Sequence, residues 1–274
     1  MPFHSLRPRA FSVVAASVIC GLGFAVPAWA DTISVTSDSA AYGYDTIHLN
    51  DSNFAFPPPY ASNSGGVSSV WVYSGADSIG GTDTTSGKAF AAVVFCTDVN
   101  NYLVGTPYTF AQGTLSDTVT NTTKIKQIGA LISNGSQLLA NSQDTVGGHT
   151  YSQTEISSAL QIAVWTAEYQ SGTTGYNPTS SSRGFWVSGP SDQNDVTLAQ
   201  TFLNDATTGT WSPSGNIVQL LALNPTNNQN LTYYTASGSL AGNPGLPVVE
   251  PAALSLLGLG LTGLAAARRR RAAL

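Results

Sequence analysis

Phe90-Ala91-Ala92-Val93-Val94-Phe95-Cys96-Thr97-Asp98 is the stretch whose reading decides the fold. It is a short apolar, partly β-branched run ending in a cysteine, and it reads as a buried strand. The chain has two cysteines, Cys20 and Cys96. Cys20 falls in a removable export signal, so the mature protein is expected to carry Cys96 alone, in a compartment where thiols normally pair. A leftover cysteine there is an intermolecular bridge, a reactive thiol or a small buried hydrophobe. A fourth state is a thiol already spent in an internal bond to a glutamine side chain.

Outside that strand, the two ends of the chain have their own grammar. Residues 1–30 fit a secretory signal peptide: Arg7 and Arg9 are basic, Phe11 to Val26 is apolar, and Ala28 and Ala30 place small residues at the cleavage positions. Residues 239–247 form a Gly/Pro linker. The tail, 248–274, runs Val248-Val249-Glu250-Pro251, then a largely apolar run of sixteen residues from Ala252 to Ala267, then Arg268, Arg269, Arg270 and Arg271. A stable span takes about 20 residues, so this is a short transmembrane helix, and the arginines hold its end in the cytoplasm.

Between them, residues 31–238 are 4 basic against 14 acidic, a formal charge of −10. That argues against nucleic acid, whose binding needs a basic face. Over the whole chain 9% of residues are charged and 42% hydrophobic. This is the balance of a hydroxyl-rich extracellular fold rather than a disordered one. His48 and His149 stand far apart in the body with Cys96, which makes no recognisable metal site. No cofactor is expected.

Periodicity sets the architecture. Short strands are expected at Thr32–Val35, Asp45–Leu49, Ser69–Tyr73, Asn216–Leu223 and Asn230–Ala236. Pro57-Pro58-Pro59 breaks any regular element. Gly80 to Lys88 has the wrong glycine spacing for a phosphate loop, and Ala89 follows the lysine, so it reads as a hairpin loop. Tyr102 to Phe110 is expected to return antiparallel beside the Cys96 strand. Ile125, Ile128, Leu131 and Ile132 fall on one face of a helix over Thr123–Leu139, with Gly135 as its stop. Ser152-Gln153-Thr154-Glu155 is a capping box. It opens a helix whose apolar face carries Ile156, Ala159, Leu160, Ala163, Val164 and Ala167, with Gln161 at its flank. Gly175 to Pro190 reads as a loop, and Asp192–Ala206 as a third helix. The expected class is α+β: a β-rich domain, sandwich or barrel-like, with a helical insertion from Thr123 to Ala206.

Two resemblances follow from these residues. The tail resembles a PEP-CTERM sorting signal, with Glu250-Pro251, the short apolar helix and the arginine cluster; Val249 stands at the first proline of the motif. That resemblance implies a Gram-negative cell with an exopolysaccharide or biofilm system. It also implies export, transient inner-membrane anchoring, and processing by an exosortase-type protease. Phe95-Cys96-Thr97 and Leu160-Gln161-Ile162-Ala163-Val164-Trp165 resemble the two signature blocks of bacterial surface thioester domains. The glutamine block matches throughout, and the cysteine block departs at Thr97.

The thioester resemblance implies a defined chemistry. Cys96 held against Gln161 gains an effective-concentration advantage worth up to about 7–11 kcal/mol in well-aligned cases. Ammonia leaves, and the γ-glutamyl thioester awaits an amine on a foreign surface or matrix polymer. The protein is then a covalent adhesin that acts once, not an enzyme that turns over. Asp98 and His149 are candidate proton-handling helpers, and Trp165 a candidate shield over the bond. Their duller readings are a strand-end turn, a solvated loop histidine and a core tryptophan. The competing function is a non-covalent component of the biofilm matrix with Cys96 packed in the core. A cysteine hydrolase using Cys96 and His149 is weakest, because apolar residues crowd Cys96 and no nucleophile elbow surrounds it.

Overall fold

The structure, a computed structural model, describes residues 31–236 except 54, 57–61, 100, 102, 104–105, 142–144, 190–192 and 225–228. The expected signal peptide, its Cys20, the Pro57–Pro59 break, the linker and the sorting tail lie outside the described residues. Among the described residues no helix is long and apolar enough to cross a membrane.

Six antiparallel strands close into a barrel, in the order β1 (Thr32–Ala40), β5 (Asp77–Asp83), β6 (Ala89–Cys96), β12 (Leu231–Thr235), β11 (Asn216–Ala222), β7 (Tyr108–Gly113). Closure leaves no sheet edge to protect. A second sheet has the order β10 (Phe185–Ser188), β2 (Asp45–Asp51), β4 (Val67–Ser74), β3 (Ser62–Ser64). Three helices, α1 (Thr122–Ala140), α2 (Gln153–Tyr169) and α3 (Gln193–Thr208), sit in the chain between β7 and β11. A small hairpin, β8 (Thr145–Val146) with β9 (His149–Thr150), joins α1 to α2. The class is α+β, as expected, and the barrel alternative is the one realised.

The barrel interior is written in alternating positions. Ile33 opposes Asp83 and Val35 opposes Gly81; on the next strand pair Gly81 opposes Phe90, and Val94 opposes Tyr233. Ile33, Val35, Phe90, Val94, Phe110, Leu220, Leu231 and Tyr233 are buried. A register shift between Val35 and Ser37 then changes the phase of β1, so that Asp38 opposes Ile79 and Ala40 opposes Asp77. A one-residue slip exchanges the faces of everything beyond it. Asp38 therefore shares the inward face with Ile79, Asp77, Val94 and Cys96 at one end of the barrel.

Helix α2 is central. It is buried from Ile156 to Ala167, so burial extends all round the helix and takes in Ser157, Ser158, Gln161 and Thr166 besides the expected apolar face. The capping box is present: Ser152 Oγ accepts from the Glu155 N–H at 3.1 Å, and Glu155 accepts from the Ser152 N–H at 2.6 Å. At the other end the Lys124 ammonium donates to the carbonyls of Glu168 at 2.7 Å and Gln170 at 2.6 Å, tying α1 to the last turn of α2.

Four local expectations are corrected. Tyr102–Phe110 does not return beside β6: β7 pairs with β1 and β11, while β5 and β12 flank β6. The strand ends at Cys96 and Thr97-Asp98 is irregular, so no direct hairpin leads back. Gly80 to Asp83 is part of β5, and the turn is 84–88, closed by the Asp83 N–H to the Lys88 carbonyl at 2.9 Å. Helix α1 does not stop at Gly135 but runs to Ala140. Gly135 is there because α2 crosses it: an added Cβ would lie 2.4 Å from Leu160 Cδ2. Phe185–Ser188, inside the expected loop, is a strand paired with β2.

Candidate functional site

Strand β6 outruns β5 by two residues. Asp77 is the first residue of β5 and pairs with Val94, so among the described residues no strand pairs with Cys96 on that side. On the other side, the Thr97 N–H reaches the Asn230 carbonyl at 3.0 Å. The vacant side of Cys96 is filled by a side chain from α2. The Cys96 N–H donates to Gln161 Oε1 at 2.8 Å, and Gln161 Nε2 donates to the Cys96 carbonyl at 2.8 Å. The carboxamide thus replaces the missing rung of the ladder and satisfies both peptide groups, as buried polar groups require. Gln161 is 1% exposed and Cys96 6%. Residues 65 apart in sequence are brought into register at two points.

The sulfur has its own surroundings. Cys96 Sγ donates to the Asp98 carbonyl at 3.1 Å and accepts from the Asp98 N–H at 3.4 Å. Burial pushes the thiol well up from its ordinary value; the Asp98 backbone contact opposes this, the Asp98 and Glu168 charges add to it, and the Trp165 indole favours the thiolate. Trp165 Nε1 is buried and makes no hydrogen bond of normal length and angle.

Residues 161, 165 and 168 recur at helical spacing, so Gln161, Trp165 and Glu168 project from one face of α2. Glu168 is the member that the sequence reading missed. Burial pushes its carboxyl well up, the Asp98 charge adds to this, and Lys124 opposes it. The available signal was its position seven residues after Gln161, as the one acid of α2 beyond its first turn.

The other sequence candidates fall in different places. Asp98 is one of the two candidate helpers. It lies past the strand end, meets the sulfur through its backbone, and its carboxylate accepts from Asn101 Nδ2 at 2.8 Å and Asn230 Nδ2 at 3.4 Å. His149 is exposed on the β8–β9 hairpin, with its ring 6.5 Å from that of Tyr151, and is not among the residues lining the cavity at Cys96. Trp165, 3% exposed, lines the same cavity as Cys96 and Gln161. Among the described residues no cluster of His, Cys, Asp and Glu could hold a metal ion.

Cys96, Gln161 and Trp165 form the floor of a cavity of about 410 Å³. Its walls include Asp38, Asp77, Tyr44, Leu49, Trp71, Tyr73 and Val99. The arrangement has the parts of an acyl transfer: a nucleophile, a carbonyl whose oxygen already accepts a backbone N–H, and an opening for a second reactant. Compared with family profiles, curated proteins and solved structures, the chain gives no match in any of the three.

Proposed function

We propose that the protein is an exported surface protein that attaches covalently through a Cys96–Gln161 thioester. The observation that carries this reading is the pair of 2.8 Å hydrogen bonds fixing the Gln161 carboxamide to the peptide groups of Cys96. Sγ attacks Cδ, the Cδ–Nε2 bond breaks, and ammonia leaves with the thiol proton. Charge developing on Oε1 meets the Cys96 N–H, which already points at it. A primary amine then attacks the thioester carbon; Cδ–Sγ breaks, the sulfur regains a proton, and Gln161 ends as a secondary amide. The acyl group is consumed, so each molecule acts once. Export, a transient tether and processing by an exosortase-type protease are supported by the signal-peptide pattern of residues 1–30 and by the sorting-signal pattern from Glu250-Pro251 to Arg271.

Intact mass of the purified processed chain tests this. The expected mass is one ammonia below the sequence value, restored in Cys96→Ala and Gln161→Ala, with a methylamine adduct on the parent alone. A full-mass parent with no adduct after prolonged methylamine treatment overturns the reading. It leaves the second one, which the satisfied ladder rung itself favours: Gln161 as a structural bridge and Cys96 as a core residue of a non-covalent matrix protein.

A further inference from the structure

The cavity above the Cys96–Gln161 pair carries a second feature. Asp38 and Asp77 stand on the same inward face at the barrel end, placed there by the register shift in β1. Each is fixed by a tyrosine hydroxyl: Tyr44 donates to Asp77 Oδ1, and Tyr108 donates to Asp38 Oδ2 at 3.0 Å. Among the described residues no lysine or arginine lines the cavity, so two neighbouring carboxylates face it without a basic partner. The aromatic wall is open. Trp71 is 58% exposed and Tyr73 73%, Tyr73 stacks on Tyr44 at 5.7 Å, and His48 backs Trp71 at 4.7 Å. The Trp165 N–H, buried and unpartnered, lies in the floor of the same cavity.

We infer that this cavity is a recognition site for a primary ammonium group on an unbranched alkyl stem, with Asp38 and Asp77 taking the charge and Tyr44, Trp71 and Tyr73 the stem. Carboxylates draw a cation into a partly enclosed space, and aromatic faces add to its attraction. A neutral polyol gains neither term. A sugar ammonium has the charge but no stem to lie along the rings. The chemistry therefore selects a lysine side chain or a linear diamine, and delivers its nitrogen above Gln161 Cδ. Burial of Asp77 beside Asp38, which raises its carboxyl to about 6, is an electrostatic cost that an incoming cation relieves.

This inference rests on the acyl-transfer reading for its purpose but not for its test. The full chain carrying Cys96→Ala cannot form a thioester, so binding to it is measured without chemistry. Calorimetric titration with cadaverine, 1,5-pentanediol, Nα-acetyl-lysine amide and glucosamine should give binding of the first and third only. Asp38→Asn and Asp77→Asn should each weaken cadaverine by about tenfold or more, the scale of a lost charged hydrogen bond. Trp71→Ala should weaken it as well. Thermal melts check folding, and Asp38→Asn, at an exposed position, decides the matter should Asp77→Asn fail to fold. Equal binding of the diol, tighter binding of glucosamine, or unchanged cadaverine affinity in the folded carboxamide variants overturns the site. A full-mass parent that still binds cadaverine would sink the thioester alone, and a reactive parent whose Cys96→Ala form ignores cadaverine would sink only this site.

Discussion

Asp77 is placed where its charge is costly. It is the first residue of β5, flanked by Asp38 on the neighbouring strand and held by the Tyr44 hydroxyl. Burial, with the Asp38 charge adding and the Tyr44 hydrogen bond opposing, pushes its carboxyl up to about 6. An unfolded aspartate titrates near 3.9. Because the folded value is the higher one, the native state binds the extra proton between those limits. The stabilisation is fully present below about pH 4 and lost as pH rises through about 6. Asp77→Asn has no such dependence, while its side-chain oxygen can still accept from Tyr44. The stability of the parent relative to Asp77→Asn should therefore fall between pH 4 and 7 and level off above. Urea unfolding across that range, with both chains in the Cys96→Ala background, reads this directly. A difference that stays constant with pH would mean that Asp77 is solvated. Neither aspartate was legible in the sequence, because Asp38 reaches the inner face only through the shift after Val35. Strict alternation from Ile33 would have put it outside.

The helices position the glutamine, and their crossing is tight where α1 meets α2. Leu160, next to Gln161, packs over Gly135 with its methyl carbons 2.4 and 2.6 Å from where a Cβ would stand. Gly135→Ala must displace Leu160 or separate the helices, at a cost of about 1–3 kcal/mol for overpacking. The favourable helix propensity of alanine recovers about 1 kcal/mol at most. Leu160→Val shortens the obstructing side chain, so the penalty of Gly135→Ala should shrink in that background. A double-mutant cycle by chemical denaturation measures the coupling, expected at about 1 kcal/mol or more for side chains in contact. Additive costs would place the strain elsewhere. The same crossing shows why Gly135 misled as a stop signal: its missing side chain answers a tertiary demand that local pattern does not contain. Local signals did succeed where the cause is local. Ser152 and Glu155 cap α2 from within one turn. The partners of β6 and β7 were not legible, since pairing across a closed barrel is decided by distant strands.

Across the molecule, the Cys96–Gln161 contact joins the barrel to the helical layer, and a bond there would act as a staple. The two residues are 65 apart, and between them lie all of β7, all of α1, the β8–β9 hairpin and half of α2. Closing a loop of that length removes chain entropy from the unfolded state worth about 4 kcal/mol, by the relation used for disulfides. The native state gives up one contact in return, the Gln161 Nε2 bond to the Cys96 carbonyl, while Oε1 stays against the Cys96 N–H. Opening the thioester with methylamine leaves a secondary amide whose oxygen can still accept from the Cys96 N–H, as the thioester oxygen does, so the folded contacts change far less than the unfolded ensemble. For a chain of this size each kcal/mol moves the melting temperature by about 2–4 °C. The methylamine adduct should therefore melt roughly 10 °C below the untreated protein, while Cys96→Ala, treated or not, should stay fixed. Calorimetry on samples whose adduct is verified by mass makes the comparison. An unchanged midpoint after verified conversion would show that the two ends of this segment are already held together in the unfolded chain, or that the staple joins nothing that separates on unfolding. The stapling argument would then fail even if the bond exists.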